Sequence, residues 1–522
     1  MNKFVKSLTL AILLCVFSGI PLGAQTINAA SCNTSDVQTA LNSVTQSSAT
    51  VNIPAGRCTW TSAIAFTIPA GTTGLIIQGS GAQYATTGGA GTTGTDETII
   101  TVDISGGNPV IVLTTASGQS LRVTGIEFTE ASGYNPAHGM VQLQGNSDAV
   151  RVDHCHFDAE QGEPLQGIEV DGAVLGVADH DYFYSTASDA NDIRVYNGAS
   201  WNGSSDGYGF ESWADADHFG SSEFFFAEDD LFSGGSYMGD CDLGGRYVIR
   251  HSTLTNAVMA NHGTNTSPSR GCRAAEFYDN TVTSTAANGG SVESDNSGPM
   301  LVWGNTVSET RYIVNIADVR QNNATYTETA PPNGYGYCGT AQTGSSSAWD
   351  GNINSSGYPC LDAPGRGAGD LLSGAAFPNV VDSVGSTITW PHQVLDPTYV
   401  WDNSYTSAGY SPEGFVSNVA TGESDNVDYY QDFNSNYGET GSWNGTAGIN
   451  ISASAPSGNC TAGTDSMTSS AAPGVGWWDT SNNTLYVCNP TNTWTAYYTP
   501  YTYPHPLTQA VDPPTDLSAT PH

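Results

Sequence analysis

Between positions 240 and 278 the chain gathers Asp240, Asp242, Arg246, Arg250, His262, Arg270, Arg273, Glu276 and Tyr278. Arginine presents a planar fork that grips a carboxylate with two parallel bonds. A histidine or carboxylate beside it can take a proton, and a phenol can give one. The set suits recognition of an anionic group with proton transfer next to it. It stands out because cations are scarce: 13 Lys and Arg oppose 50 acids, for a net charge of −37. Lys3 and Lys6 are the only lysines, so beyond residue 24 the cations are eleven Arg. A plainer outcome is local pairing, of Arg273 with Glu276 and of Arg246 and Arg250 with Asp240 and Asp242. Exposed pairs of that kind contribute little.

What could position these residues is a recurring strand unit. It reads LRVTGIEF at 121, VRVDHCHF at 150, GVADHDYF at 176, FFAEDDLF at 225, YVIRHSTL at 247, AEFYDNTV at 275, MLVWGNTV at 300 and TYVWDNSY at 398. Most intervals match one coil of a solenoid, and no helical segments lie between the units. The first and third places are mostly apolar and should point inward. The sixth place carries Asp230, Ser252, Asn280, Asn305 and Asn403. Such residues tolerate left-handed backbone and bond neighbouring amides, which suits a tight bend. The fourth place should face outward and carries Asp153, Asp179, Glu228, Arg250, Tyr278, Trp303 and Trp401. A run from acids through Arg to aromatics fits a polymer lying across the coils, and its carboxylates could hold Ca²⁺. His154, His156 and His180, beside Asp153, Asp179 and Asp181, raise the possibility of another metal but suit bends and ladders better.

These units, with an asparagine-rich bend column and an amphipathic stretch at 36–44 (Val37, Leu41 and Val44 on one face), resemble the right-handed parallel β-helix superfamily of pectate lyases and related polysaccharide enzymes. The likeness covers roughly residues 30–435. It implies an all-β right-handed parallel β-helix with an N-terminal helical cap; the composition beyond it adds a small C-terminal β appendage. For function it implies a polysaccharide substrate, although the fold also hosts hydrolases, esterases and adhesins. The leading expectation is cleavage of a uronate polymer by β-elimination. Arg270 and Arg273 would neutralise the carboxylate, and His262, or an Arg as in related lyases, would be the base. Tyr278 would protonate the leaving oxygen, and Glu276 would orient His262 or hold Ca²⁺. Asp240, Asp242, Arg246, Arg250, Trp213 and Trp303 would bind substrate. The alternatives are a glycoside hydrolase pairing Glu276 with Asp240 or Asp242, and a non-catalytic glycan-binding solenoid.

Residues 1–24 read as a secretory leader, with a basic start, a short apolar run and a small-residue cleavage site. Nine Cys follow it. In an oxidising compartment, sequence proximity suggests Cys32–Cys58, Cys241–Cys272, Cys338–Cys360 and Cys460–Cys488, with Cys155 left over. The acidic balance excludes nucleic acid as a partner, and the leader's apolar run is short for a membrane span. The chain is expected to act as a monomer. Inserts at 185–223 and 311–397 would wall a groove beside the solenoid, which spans 25–439. Residues 440–522 would be a Ser/Thr/Gly-rich linker and an appendage. Its Trp477, Trp478 and Trp494 could bind sugar, but capping the last coil is the stronger reading.

Overall fold

The structure, a computed structural model, describes residues 24–509 except 105–108, 132–138, 160–165, 187–190, 204–206, 235–236, 257, 264–269, 284–290, 309–311, 317–361, 370–375, 382–386, 390–393, 407–415, 419–422, 433–442 and 466–469. The leader, the Cys338–Cys360 pair and most of the second insert therefore lie outside the described residues.

The chain winds into a right-handed parallel β-helix whose coils contribute to three parallel sheets of 12, 10 and 10 strands. The coil that starts with Ala149–Asp153 continues through His156–Ala159 and Gln166–Asp171 before the next begins. Thr34–Asn42 forms the helix at the N-terminal end, with Val37 and Leu41 buried. Burial of one helical face, not intrinsic propensity, holds so short a helix.

The repeat register is the one its alternation dictates. Leu121, Val150, Phe225, Tyr247, Ala275 and Met300 point into the core at the first place, and Val123, Val152, Ile249, Phe277 and Val302 at the third. At the eighth place Phe128, Phe157, Phe183 and Phe232 stack coil on coil, 4.9–5.6 Å apart. The bend divides two tasks between adjacent places. The fifth place takes the left-handed conformation: His154, His180, Asp229, His251, Asp279, Gly304 and Asp402 all have φ between 50° and 68°. The sixth place, expected to be left-handed, instead turns its side chain inward. Asp230, Ser252, Asn280, Asn305 and Asn403 form a continuous ladder there, each oxygen accepting from the backbone N–H one coil earlier.

The appendage meets the end of the solenoid, where Ile449 bridges to Asp432 beside the last strand of the first sheet, and it also covers a side. The strands Ile449–Ser452, Gly476–Asp479, Thr484–Cys488 and Trp494–Tyr498 form a small sheet, stapled by Cys460–Cys488. It packs on the outer side of the first sheet, where Val248, Ala274, Tyr278, Leu301, Trp303, Tyr399 and Trp401 share one apolar cluster with Ile449, Val475, Trp478, Leu485, Val487 and Tyr498. Apart from Arg250 and Glu276, the second and fourth places of the later repeats are apolar, and this sheet helps to cover them.

Candidate functional site

Tyr237–Cys241, Arg246–Arg250 and Ala274–Tyr278 carry most of the residues singled out above. The disulfide Cys241–Cys272 forms, with its Cα atoms 5.2 Å apart. Asp242 bridges to Gly271, and His262 N–H donates to the Cys241 carbonyl. The two stretches are thus tied together, yet their functional side chains part company across different faces.

The four arginines do not make an open positive groove. Arg246, Arg250, Arg270 and Arg273 are at most 1% exposed. Arg246 lies under the first insert, where it donates to the carbonyls of Ser212, Ala216 and Asp217 and sits 4.2 Å from the Trp201 ring centre. Arg250 donates to Glu228, Tyr278 and the carbonyls of Tyr501 and Thr502. Arg270 grips Asp362 with two bonds of 2.8 and 2.6 Å. A buried guanidinium needs every N–H partnered, and in a fold made of loops laid over sheets the partners are loop carbonyls. Arg246, Arg250 and Arg270 are anchors for covering segments.

Arg273 differs. Its Nη2 donates to the Asp215 carbonyl at 3.0 Å, while Nε and Nη1 have no hydrogen-bond partner among the described residues. Trp213 lies between Arg270 and Arg273, 5.0 and 5.2 Å from their guanidinium carbons, and donates its indole N–H to the Gly271 carbonyl. Its ring is taken up by the two guanidiniums and does not line the cavity described below, so it is a wall for the arginines and not a sugar platform.

The other assignments shift as well. Glu276 faces outward as expected but is covered: it accepts from Gly220 N–H and Tyr498 Oη, both at 2.8 Å. Burial pushes its carboxyl up to about 7. The Tyr278 hydroxyl accepts from Arg250, and its ring stacks on Trp303 at 4.6 Å. Burial pushes its pKa up, so it is poorly placed to protonate a leaving group. Asp240 and His262 sit on the third sheet's side, where Asp240 lies 3.2 Å from both Arg194 and His262 Nδ1. His262 therefore does not stand with Arg273 and Glu276 as a base would have to. Asp242 accepts from Leu243 N–H in the connecting turn.

The fourth-place column exists in register from Asp153 to Trp401. It is not a polymer track, because residues 499–508 run back along it. The carboxylates offered for Ca²⁺ are already engaged: Asp153 by Arg122 and His154, Asp179 by Arg151 and His180, Glu228 by Arg250 and His505 N–H. Those contacts hold Asp153 at about 2 against the pull of burial.

The chemistry that remains gathers in a cavity of about 410 Å³ between the first insert, the solenoid and the appendage. Its walls include Asp217, Arg273, Asp396 and Asp465. The Tyr497 hydroxyl lies 2.8 Å from Asp396 Oδ1 and 3.3 Å from Asp217 Oδ2. Both carboxyls thus meet at one hydroxyl, and burial followed by the Asp217 charge lifts Asp396 to about 7. Two carboxyls bridged by one phenol hydroxyl, beside a guanidinium whose Nε and Nη1 are unpartnered among the described residues, offer an acid, a base and an anion grip. Sequence reasoning found Arg273 and missed Asp217, Asp396 and Tyr497. Those three lie in separate segments, and the only signal was their place within inserts and an aromatic appendage.

Fold and cavity define a parallel β-helix protein with two carboxyls, Asp217 and Asp396, bridged by Tyr497 beside Arg273 under its covering loops. No family model matches the chain and no curated protein matches it. Among solved structures it is similar to one described as Geobacillus virus E2 ORF18, at 14% identity and a TM-score of 0.26, over 56% of this chain and 54% of the other. The chain thus spans about half the length of that protein, and a likeness this weak carries no argument.

Proposed function

We propose that the protein is a secreted polysaccharide-acting enzyme that cleaves a uronate-containing polymer by β-elimination at the cavity of Arg273, Asp217 and Asp396. The observation that carries this reading is the pair of carboxyls, Asp217 and Asp396, joined by the Tyr497 hydroxyl in the cavity that Arg273 also lines. Arg273 binds the uronate carboxylate and makes the neighbouring C–H more acidic. Asp217 removes that proton. The freed electron pair forms the carbon–carbon double bond and expels the glycosidic oxygen, which takes the proton of Asp396. Glycoside hydrolases keep their carboxyl pair roughly 5 Å or more apart so that sugar or water fits between. A pair held on one hydroxyl suits elimination better, because acid and base then work from one side. Three disulfides fit an oxidising, extracellular setting, and no described helix is long and apolar enough to cross a membrane.

The test is a panel of uronate polymers followed by ultraviolet absorbance of the unsaturated product. Arg273→Lys keeps the charge but loses the fork, and should reduce the rate by about tenfold or more. Asp396→Asn should remove the acid and the activity. Arg194→Lys, on the third sheet, should behave as wild type, and thermal melts should show all three variants folded. The wild-type rate should fall as pH rises through about 7, where Asp396 loses its proton. Reducing ends without unsaturated product would replace elimination with hydrolysis.

A further inference from the structure

Away from this cavity, residues 79–97 leave the solenoid and fold back against it. Ala85 N–H donates to the His180 carbonyl, Gly88 N–H to Asp229, and the Gly88 carbonyl accepts from Thr253. Asp96, near the end of this excursion, reaches the outer face of the second sheet. There Glu127 and His156 are partners in adjacent coils. One ligand atom from each of Asp96, Glu127 and His156 lies within 4.8 Å of the others.

Two of the three are buried and incompletely satisfied. Glu127 is 4% exposed and His156 7% exposed. Glu127 Oε2 and His156 Nε2 have no hydrogen-bond partner among the described residues. Among the described residues the arginine near Glu127 is Arg57, 4.0 Å away and more than half exposed, which is loose company for a buried carboxylate. Leaving such atoms bare is unfavourable, so their persistence points to a missing partner. The surroundings already hold the ligands in place. Gln83 N–H donates to Asp96 Oδ1 at 2.7 Å, and the His156 ring stacks on Tyr182 at 4.6 Å. Metal sites depend on this kind of outer support.

We propose that Asp96, Glu127 and His156 bind one divalent transition-metal ion of the Zn²⁺ type, which clamps the 79–97 excursion onto the solenoid. Two carboxylates and an imidazole match Zn²⁺ better than Ca²⁺, which takes six to eight oxygen ligands. Asp96 is partly exposed, so the ion can enter from solvent. Neither His154 nor His180 takes part, because each bonds the aspartate before it in the column.

The full chain, freed of metal by a chelator, is titrated calorimetrically with zinc chloride and, separately, calcium chloride. One Zn²⁺ per chain is expected, with a rise in the thermal midpoint. Asp96→Asn, at a partly exposed loop position, and His156→Gln should each weaken binding by about tenfold or more and abolish the rise. The chain has a second carboxylate–imidazole group, Asp215, His218 and Glu223. His218→Gln should therefore leave Zn²⁺ binding unchanged. Absence of Zn²⁺ binding, tighter binding of Ca²⁺, or loss of Zn²⁺ in His218→Gln with retention in the other two would overturn the assignment.

Discussion

Asp181 and Asp230 occupy the ladder places that asparagine holds further along the solenoid. Each is fully buried, and burial followed chiefly by the charge or amide of a ladder neighbour moves its pKa, the net result being well above the ordinary value. One oxygen of each accepts a backbone N–H, and the other has no partner among the described residues. In Asn280 the corresponding amide donates to the Ile249 carbonyl in the preceding coil. Asp230→Asn should place an N–H at the equivalent carbonyl, that of Ala178. A carboxyl whose folded pKa is raised contributes stability below its unfolded pKa and loses it as pH rises. Asp230→Asn should therefore stabilise the protein by about 1–3 kcal/mol at pH 7 and by much less near pH 4. Urea melts at the two pH values check this, and an equal effect at both would mean that the carboxyl is not held protonated.

At the scale of elements, the solenoid is a frame and its function is decided by what is laid over it. The C-terminal tail is held by main-chain bonds from Arg250 to Tyr501 and Thr502, by Tyr503 Oη on Asp229, and by His505 N–H on Glu228. The Arg250 guanidinium also sits 4.7 Å from the Phe226 ring centre. Arg250→Met keeps most of the volume but leaves Glu228 buried beside no cation. Breaking a buried pair in this way costs about 3–5 kcal/mol. Residues 499–508 should then become open to limited proteolysis. Arg57→Met, at an exposed position, should change neither melting nor cleavage. If the tail stays protected in Arg250→Met, the appendage sheet alone holds it.

For the whole molecule, the balance of acids sets an acidic optimum of stability. Burial raises Glu276 and Asp396 to about 7 and Asp279 and Asp432 to about 6. Their contributions are present below the unfolded carboxyl values and fade as pH climbs from about 4 to about 7. Asp153 and Asp215 sit at about 2, so their contributions fade as pH falls from about 4 towards 2. The thermal midpoint should peak near pH 4–5 and decline on both sides. The self-repulsion of a net charge of −37 steepens the alkaline decline. Differential scanning calorimetry from pH 3 to pH 8 measures this, and a plateau through pH 7–8 would contradict it.

The sequence by itself determined the coil. Strand alternation has a period of two, so one unit such as AEFYDNTV states which residues face inward, and repetition at the same places builds the phenylalanine stack and the bend ladder without any distant information. Three disulfides were legible for the same reason, since neighbours in sequence become neighbours one coil apart. The arginines show the limit. Their types were legible, but whether Arg246 or Arg273 meets solvent depends on segments that arrive from elsewhere in the chain, such as 199–224, 362–369 and the appendage. Asp217, Asp396 and Tyr497 meet only when an insert, a later coil and the C-terminal sheet close over one face. Nothing periodic records that contact. It arises because, Arg250 and Glu276 apart, the second and fourth places of the later coils are apolar and must be covered, and only the tertiary structure decides which segment covers them.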